Sequence, residues 1–195
     1  MPIYEEIWAN PKKDYVLGGA ALNSARCAAF ARELLGVGKG VDYFGGVGKD
    51  ERGEHLEKLA QESGVDVNFC KTEEEPTGTC AVLVQGADRS LCANIAAAGK
   101  YDKAHLESNM AVLEQAKYLY TTGFFITSNF EALMHMAKYC NDNNKPMIFN
   151  FSAPFLCEFF TEQVEKALEC ADYVFCNEDE AAAFGKKHDL EGKPL

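Results

Sequence analysis

Gly18-Gly19 followed by Asn23 is the first group in this sequence whose residue types and spacing could do chemistry. A glycine pair lets the backbone approach a ligand and take positive φ, and a helix starting at Ala20 would aim its unpaired N–H groups and partial positive charge at the same turn. The same stretch reads equally as a close-packed strand-to-helix turn without a ligand. Three further groups stand out: the hydroxyl-rich Pro76-Thr77-Gly78-Thr79, Arg89 just past Gly86-Ala87-Asp88, and Asn177-x-x-Glu180 at a helix start. Each has a structural alternative. Asn177 reads as an N-cap and Arg89 as a solvated charge, just as Leu91 and Phe124 read as packing residues.

Other spacings exclude chemistry. A dinucleotide fingerprint built on Gly46-Val47-Gly48 would need a third glycine where Glu51 stands. A phosphate-binding P-loop would need glycine five residues before the glycine of a Gly-Lys pair, and those positions are Glu33, Tyr43, Asn94, Glu180 and Lys187. No Gly-x-Ser-x-Gly elbow occurs. The eight cysteines form no C-x-x-C pair and share no spacing with the four histidines, which argues against zinc. They read as reduced thiols packed as small hydrophobes.

These groups need a scaffold, and the pattern of apolar residues supplies one. With 195 residues, 47% hydrophobic and 25% charged, the chain is expected to form one domain over 1–195. A short helix over 3–10 stops at Pro11. A strand at 15–17 then leads into a helix at 20–35, apolar on nearly every side and so expected to be covered by the rest of the domain. A strand at 41–46, a helix carrying Leu56, Leu59 and Ala60, and a strand at 65–70 follow. Strands at 79–85 and 89–95 around a short loop predict a hairpin, a lid spanning about 79–96. Helix 104–115, strand 118–122, a helix with Leu133 and Ala137, strand 146–150, a helix with Val164 and Ala167, strand 173–176 and a capped helix 181–184 complete the chain. Alternation of strands and helices predicts an α/β chain with a mainly parallel sheet layered by helices on both faces.

A net charge of −11 without a basic run excludes a nucleic-acid partner. A small phosphorylated ligand stays compatible, because one or two arginines and a helix N-terminus can hold it locally. No apolar run approaches a bilayer span and no secretory signal is visible, so no membrane partner and a cytoplasmic location are expected.

Gly18-Gly19-Ala20-Ala21-Leu22-Asn23-Ser24, Tyr43-Phe44-Gly45-Gly46-Val47-Gly48-Lys49-Asp50-Glu51-Arg52-Gly53, Pro76-Thr77-Gly78-Thr79-Cys80, Arg89-Ser90-Leu91, Gly123-Phe124-Phe125, Ser152-Ala153-Pro154-Phe155 and Asn177-Glu178-Asp179-Glu180 resemble, in order, successive blocks of the adenosine kinase group of the ribokinase-like, PfkB-type sugar and nucleoside kinases. The resemblance implies a ribokinase-like α/β fold with a small partial β-lid. It also implies transfer of the γ-phosphate of ATP to the 5′-hydroxyl of adenosine with Mg²⁺, giving AMP in purine salvage. By motif position, Gly18, Gly19 and Asn23 would hold the ribose, and Cys80, Leu91, Ala93 and Phe124 would frame the adenine. Arg89 would meet the phosphates, while Asn177 and Glu180 would order water around the metal.

The departures are also specific. Ala20 replaces a hydroxyl residue of the family. A first strand with a Gly-Asn-x-x-x-Asp pattern and a Gly-Ala-Gly-Asp segment, the family's anion hole and catalytic base, have no match in these 195 residues. The chain is therefore expected to be a truncated form, inactive alone. The family enzyme is expected to be monomeric, whereas exposed apolar faces would invite the truncated chain to self-associate. A non-catalytic nucleoside-binding remnant and another purine or ribose kinase of the same fold remain the alternatives.

Overall fold

The computed structural model describes residues 2–190, in two compact units divided between Lys100 and Tyr101. The first unit begins with α1 (Pro2–Ala9) and α2 (Ala20–Leu34), followed by β1 (Asp42–Gly48), α3 (Glu51–Glu62) and β2 (Asp66–Thr72). β1 and β2 pair in parallel, from Asp42 opposite Asp66 to Gly48 opposite Thr72, with α3 as the crossover. Leu22 and Ala29 of α2 pack with Ala60 and Val65, and Leu17, Ala25, Val41, Tyr43, Leu56 and Val67 fill in around them. Burial there pushes the Tyr43 hydroxyl up to about 12. β3 (Thr79–Gln85) and β4 (Asp88–Asn94) form the antiparallel hairpin, closed by Gly86-Ala87, and a 3₁₀ turn (Ala96–Lys100) ends the unit.

The second unit runs α4 (Lys103–Ser108), α5 (Met110–Gln115), β5 (Leu119–Thr122), α6 (Phe124–Asp142), β6 (Met147–Asn150), α7 (Pro154–Phe159), α8 (Thr161–Leu168), β7 (Tyr173–Phe175) and α9 (Glu178–Lys187). Its three strands are parallel in the order β5-β6-β7. Met147, Phe149 and Phe151 on and after the central strand are buried with Leu133, Ala137 and Cys140 of α6, Leu156 and Cys157 of α7, and Val164 and Ala167 of α8. The register sets Thr122, Asn150 and Phe175 side by side, so the chain leaves all three strands along one edge.

Several expectations are corrected. Residues 15–17 form no strand: Tyr15 and Val16 are 56% and 80% exposed, and among the described residues no strand lies beside them to complete a ladder. α2 is not covered all round. It packs on the first unit with one side only, leaving Phe30, Leu34 and Leu35 at 60%, 71% and 76% exposure. The helix expected over 104–115 breaks at Asn109, whose side-chain amide donates to the His105 carbonyl at 2.7 Å. α6 is kinked at Asn129 (φ −161°, ψ 91°), which caps the second half by accepting the Ala132 N–H at 2.9 Å. α7, six residues with Pro154 in its first turn, is too short to show a helical period. The parallel pairing expected of the strands is present, as a pair in one unit and a trio in the other.

Candidate functional site

Gly19 takes φ +98°, a conformation strained for any side chain, and immediately precedes α2 with no side-chain cap. Gly18 and Gly19 are both exposed, and an added Cβ at Gly18 would meet nothing within 4 Å, so the turn is open. Asn23 lies one turn on; its N–H donates to the Gly19 carbonyl at 2.9 Å and its Oδ1 accepts from the Arg26 guanidinium at 3.2 Å. Its side-chain NH2 makes no hydrogen bond among the described residues, and the residue is exposed. Arg26 gave no signal in the sequence, and its Nε is buried without a partner among the described residues.

The hairpin register brings four expected site residues onto one face. Cys80 stands opposite Ala93, Val82 opposite Leu91, and Val84 opposite Arg89. Strand alternation places these six side chains together. Leu91 is 61% exposed, and Cys80, Ala93 and Arg89 are exposed too. The other face carries buried Ala81 opposite Cys92, whose carbonyl accepts from the Tyr4 hydroxyl of α1 at 2.8 Å. The hairpin thus has a backed face and an open one, small and apolar at its base with an arginine near its tip. Arg89 has no partner among the described residues.

The remaining three residues belong to the second unit, along the edge where the parallel strands end. Such an edge is the common ligand side of an α/β sheet. Phe124 opens α6 directly after Gly123, whose N–H donates to the Asn150 carbonyl at 2.7 Å, and its ring lies 6.3 Å from that of Phe155. Asn177 and Glu180 form a reciprocal capping box: the Glu180 N–H donates to Asn177 Oδ1 at 2.8 Å and the Asn177 N–H to Glu180 Oε2 at 3.1 Å. Glu180 is 5% exposed and has no basic partner among the described residues. It lies close enough to Cys157 and Cys176 to help burial raise both thiols. A buried carboxylate without a counter-ion suits a cation reached through water. Among the described residues no cluster of three or more His, Cys, Asp or Glu forms a metal cage by itself.

Two features escaped the sequence reading. Ser152, after β6, holds φ +72°, and its hydroxyl lies 3.1 Å from the Gly123 nitrogen and 3.0 Å from the Asn150 carbonyl oxygen. Non-glycine residues in that region cost about 1–3 kcal/mol, the kind of strain found where geometry is specified. Asp50 and Thr77, 27 positions apart, bind each other side chain to side chain and side chain to backbone. The sequence had singled out Thr77 within the hydroxyl-rich 76–79 stretch and Asp50 within the 43–53 block, but nothing in it joined the two.

Residues 4–193 match the model of the pfkB family carbohydrate kinases. The chain is 40% identical over 193 residues to adenosine kinase 2 of Arabidopsis thaliana, covering 98% of itself and 55% of that relative. It is 37% identical over 184 residues to the adenosine kinase of Saccharomyces cerevisiae, with coverages of 94% and 53%. The structure superposes on that of Anopheles gambiae adenosine kinase in complex with P1,P4-di(adenosine-5) tetraphosphate with a TM-score of 0.89 at 37% identity, covering 96% of this chain and 56% of that one. It superposes on Schistosoma mansoni adenosine kinase in complex with adenosine in an occluded loop conformation with a TM-score of 0.91 at 32% identity, covering 98% and 55%. The chain spans about half the length of the curated relatives it matches.

Proposed function

Because the chain belongs to the pfkB family of carbohydrate kinases, we propose that it serves the phosphorylation of adenosine by ATP, giving AMP and ADP in cytoplasmic purine salvage. The observation that carries this reading is the hairpin register, which gathers Cys80, Leu91, Ala93 and Arg89 on one open face. Cys80, Leu91 and Ala93 offer an apolar face for a flat purine, and Phe124, in the second unit, offers an aromatic one. The exposed turn at Gly18 and Gly19 and the side-chain NH2 of Asn23 suit ribose oxygens. Arg89 offers paired N–H donors to phosphate. Asn177 and Glu180 would order water around a magnesium ion, which supplies charge neutralisation on the phosphates when bound.

Transfer also needs a base for the 5′-hydroxyl proton and N–H donors around the moving phosphoryl group. The Gly-Ala-Gly-Asp segment that the resemblance assigns to both is not among these residues. On this reading the residues present contribute adenosine binding and turnover by them alone is not expected, which is also what a non-catalytic nucleoside-binding module would do.

Thiol protection tests the site directly. Adenosine is expected to slow alkylation of Cys80 while leaving the exposed Cys27 unchanged. Cys140 and Cys157, both buried and pushed up to about 11 by that burial, serve as slow controls. Equal Cys80 labelling with and without saturating adenosine would remove the hairpin from the site. Protection by inosine or ribose in preference to adenosine would select another kinase of the fold, and AMP formed from ATP by the isolated chain would overturn its inactivity.

A further inference from the structure

We propose that Asp50 is a positioning residue for the ligand-facing hairpin, acting through Thr77. The inference rests on the reading of that face as the nucleoside side. A two-stranded hairpin is marginal alone, so its orientation must be set where it joins the body. Thr77 sits two residues before β3 and three before Cys80, and is 3% exposed. Its N–H donates to Asp50 Oδ2 at 2.8 Å and its hydroxyl to Asp50 Oδ1 at 2.6 Å, while that hydroxyl oxygen accepts the Gly48 N–H at 3.0 Å. Asp50 Oδ1 also accepts the Gly53 N–H at 2.8 Å, the N-cap bond of α3. One carboxylate therefore ties the end of β1, the first turn of α3 and the entry to β3. On the exit side, the Ala97 N–H donates to the Pro76 carbonyl at 3.0 Å, locking the returning strand to the same loop.

The approach is so close that three positions admit no side chain. A Cβ at Gly48 would lie 2.7 Å from the Thr77 nitrogen, one at Gly53 would strike the Gly48 carbonyl, and one at Gly78 would lie 2.6 Å from the Ile95 carbonyl oxygen. Hydrogen bonds from Thr77 and Gly53 and the nearby Arg52 charge outweigh the effect of burial on Asp50 and hold its carboxyl below the usual range. The bonds are thus made to the charged form. Phosphoryl transfer depends on positioning, so a carboxylate that never touches substrate can govern affinity through this clasp.

Hydrogen exchange on the ligand-free chain separates the clasp from the helix cap. Asp50→Ser retains a one-oxygen cap for the Gly53 N–H but is too short to hold both Thr77 groups. It is expected to speed exchange of hairpin amides about tenfold while changing α3 little. Thr77→Val should do the same, and Thr77→Ser, which keeps hydroxyl and N–H, should restore parent behaviour. If hairpin exchange in Asp50→Ser and Thr77→Val matches the parent, the proposal is overturned; if α3 and the hairpin speed up together in Asp50→Ser and Thr77→Val leaves the hairpin unchanged, Asp50 is a cap only. In calorimetry, both clasp variants should bind adenosine about tenfold more weakly than the parent. A parent that binds no adenosine, with the exchange pattern as expected, would sink the nucleoside reading and leave the clasp standing.

Discussion

Asp50 shows how one side chain can carry several elements. Its carboxyl is held below the ordinary value of 3.8, so the folded state binds its proton more weakly than the unfolded chain does. The stabilisation is complete above the ordinary carboxylate range and drains away as pH falls through the lowered value. Asp50→Asn is expected to cost about 1–3 kcal/mol near neutrality, because an amide NH2 would face the Thr77 N–H where a carboxylate oxygen now accepts it. The gap between parent and variant should close on acidification, with Arg52 the charged neighbour that modulates it. Chemical denaturation at a series of pH values measures this directly; a gap that widens in acid would reverse the assignment. The sequence singled out the 76–79 stretch that holds Thr77 but not its pairing with Asp50, because 27 residues separate the two and no spacing rule connects them.

At the scale of elements, the Asn177–Glu180 capping box and the site reading make different demands on the same residues. Asn177→Ala should lower stability by about 1 kcal/mol, as loss of an N-cap acceptor does. Asn177→Asp keeps an acceptor for the Glu180 N–H and should hold stability, so any loss of magnesium–ATP binding in that variant reports ligand contact and not capping. Calorimetric titration beside thermal melts distinguishes the two, and equal nucleotide binding by parent and Asn177→Asp would leave the residue a cap. The cap was legible in the sequence, as were the hairpin, the parallel strands and the break after Asn10, because each is a local pattern of turn residues or apolar period. The Asn129 kink and the half-bare α2 were not. The first depends on Tyr101, whose carbonyl accepts from the Asn129 amide at 2.9 Å, and the second on which neighbours the unit provides. Local sequence records a helix's apolar surface without recording what lies against it.

Across the whole chain, a charge of −11 coexists with apolar side chains left in water. Phe30 and Leu34 stand one turn apart on α2 with Leu35 beside them. The charge opposes association and the exposed apolar area favours it. We expect self-association that strengthens with salt, and Leu34→Glu to shift the chain toward monomer without lowering its melting temperature; sedimentation velocity at two salt concentrations tests both. A parent that stays monomeric at high salt would show that this surface is too small to drive assembly. Among the described residues no helix is long and apolar enough to cross a membrane. The ribokinase-like fold was legible from the order of motifs, whereas the separation into two compact units was not, since no linker composition marks the step from Lys100 to Tyr101.

The glycines at 46, 48, 53 and 78 bear on inheritance. A methyl group at Gly46 would lie 2.6 Å from the Ala97 carbonyl oxygen, and the other three positions are closed in the same way by neighbouring backbone. These vacancies are filled by the protein itself. A descendant of this chain that had lost every ligand would still be obliged to keep them in order to fold. Persistence of the glycine-rich pattern among such descendants would therefore measure how tightly the polypeptide is folded upon itself, and would say nothing about whether any of them still performs chemistry.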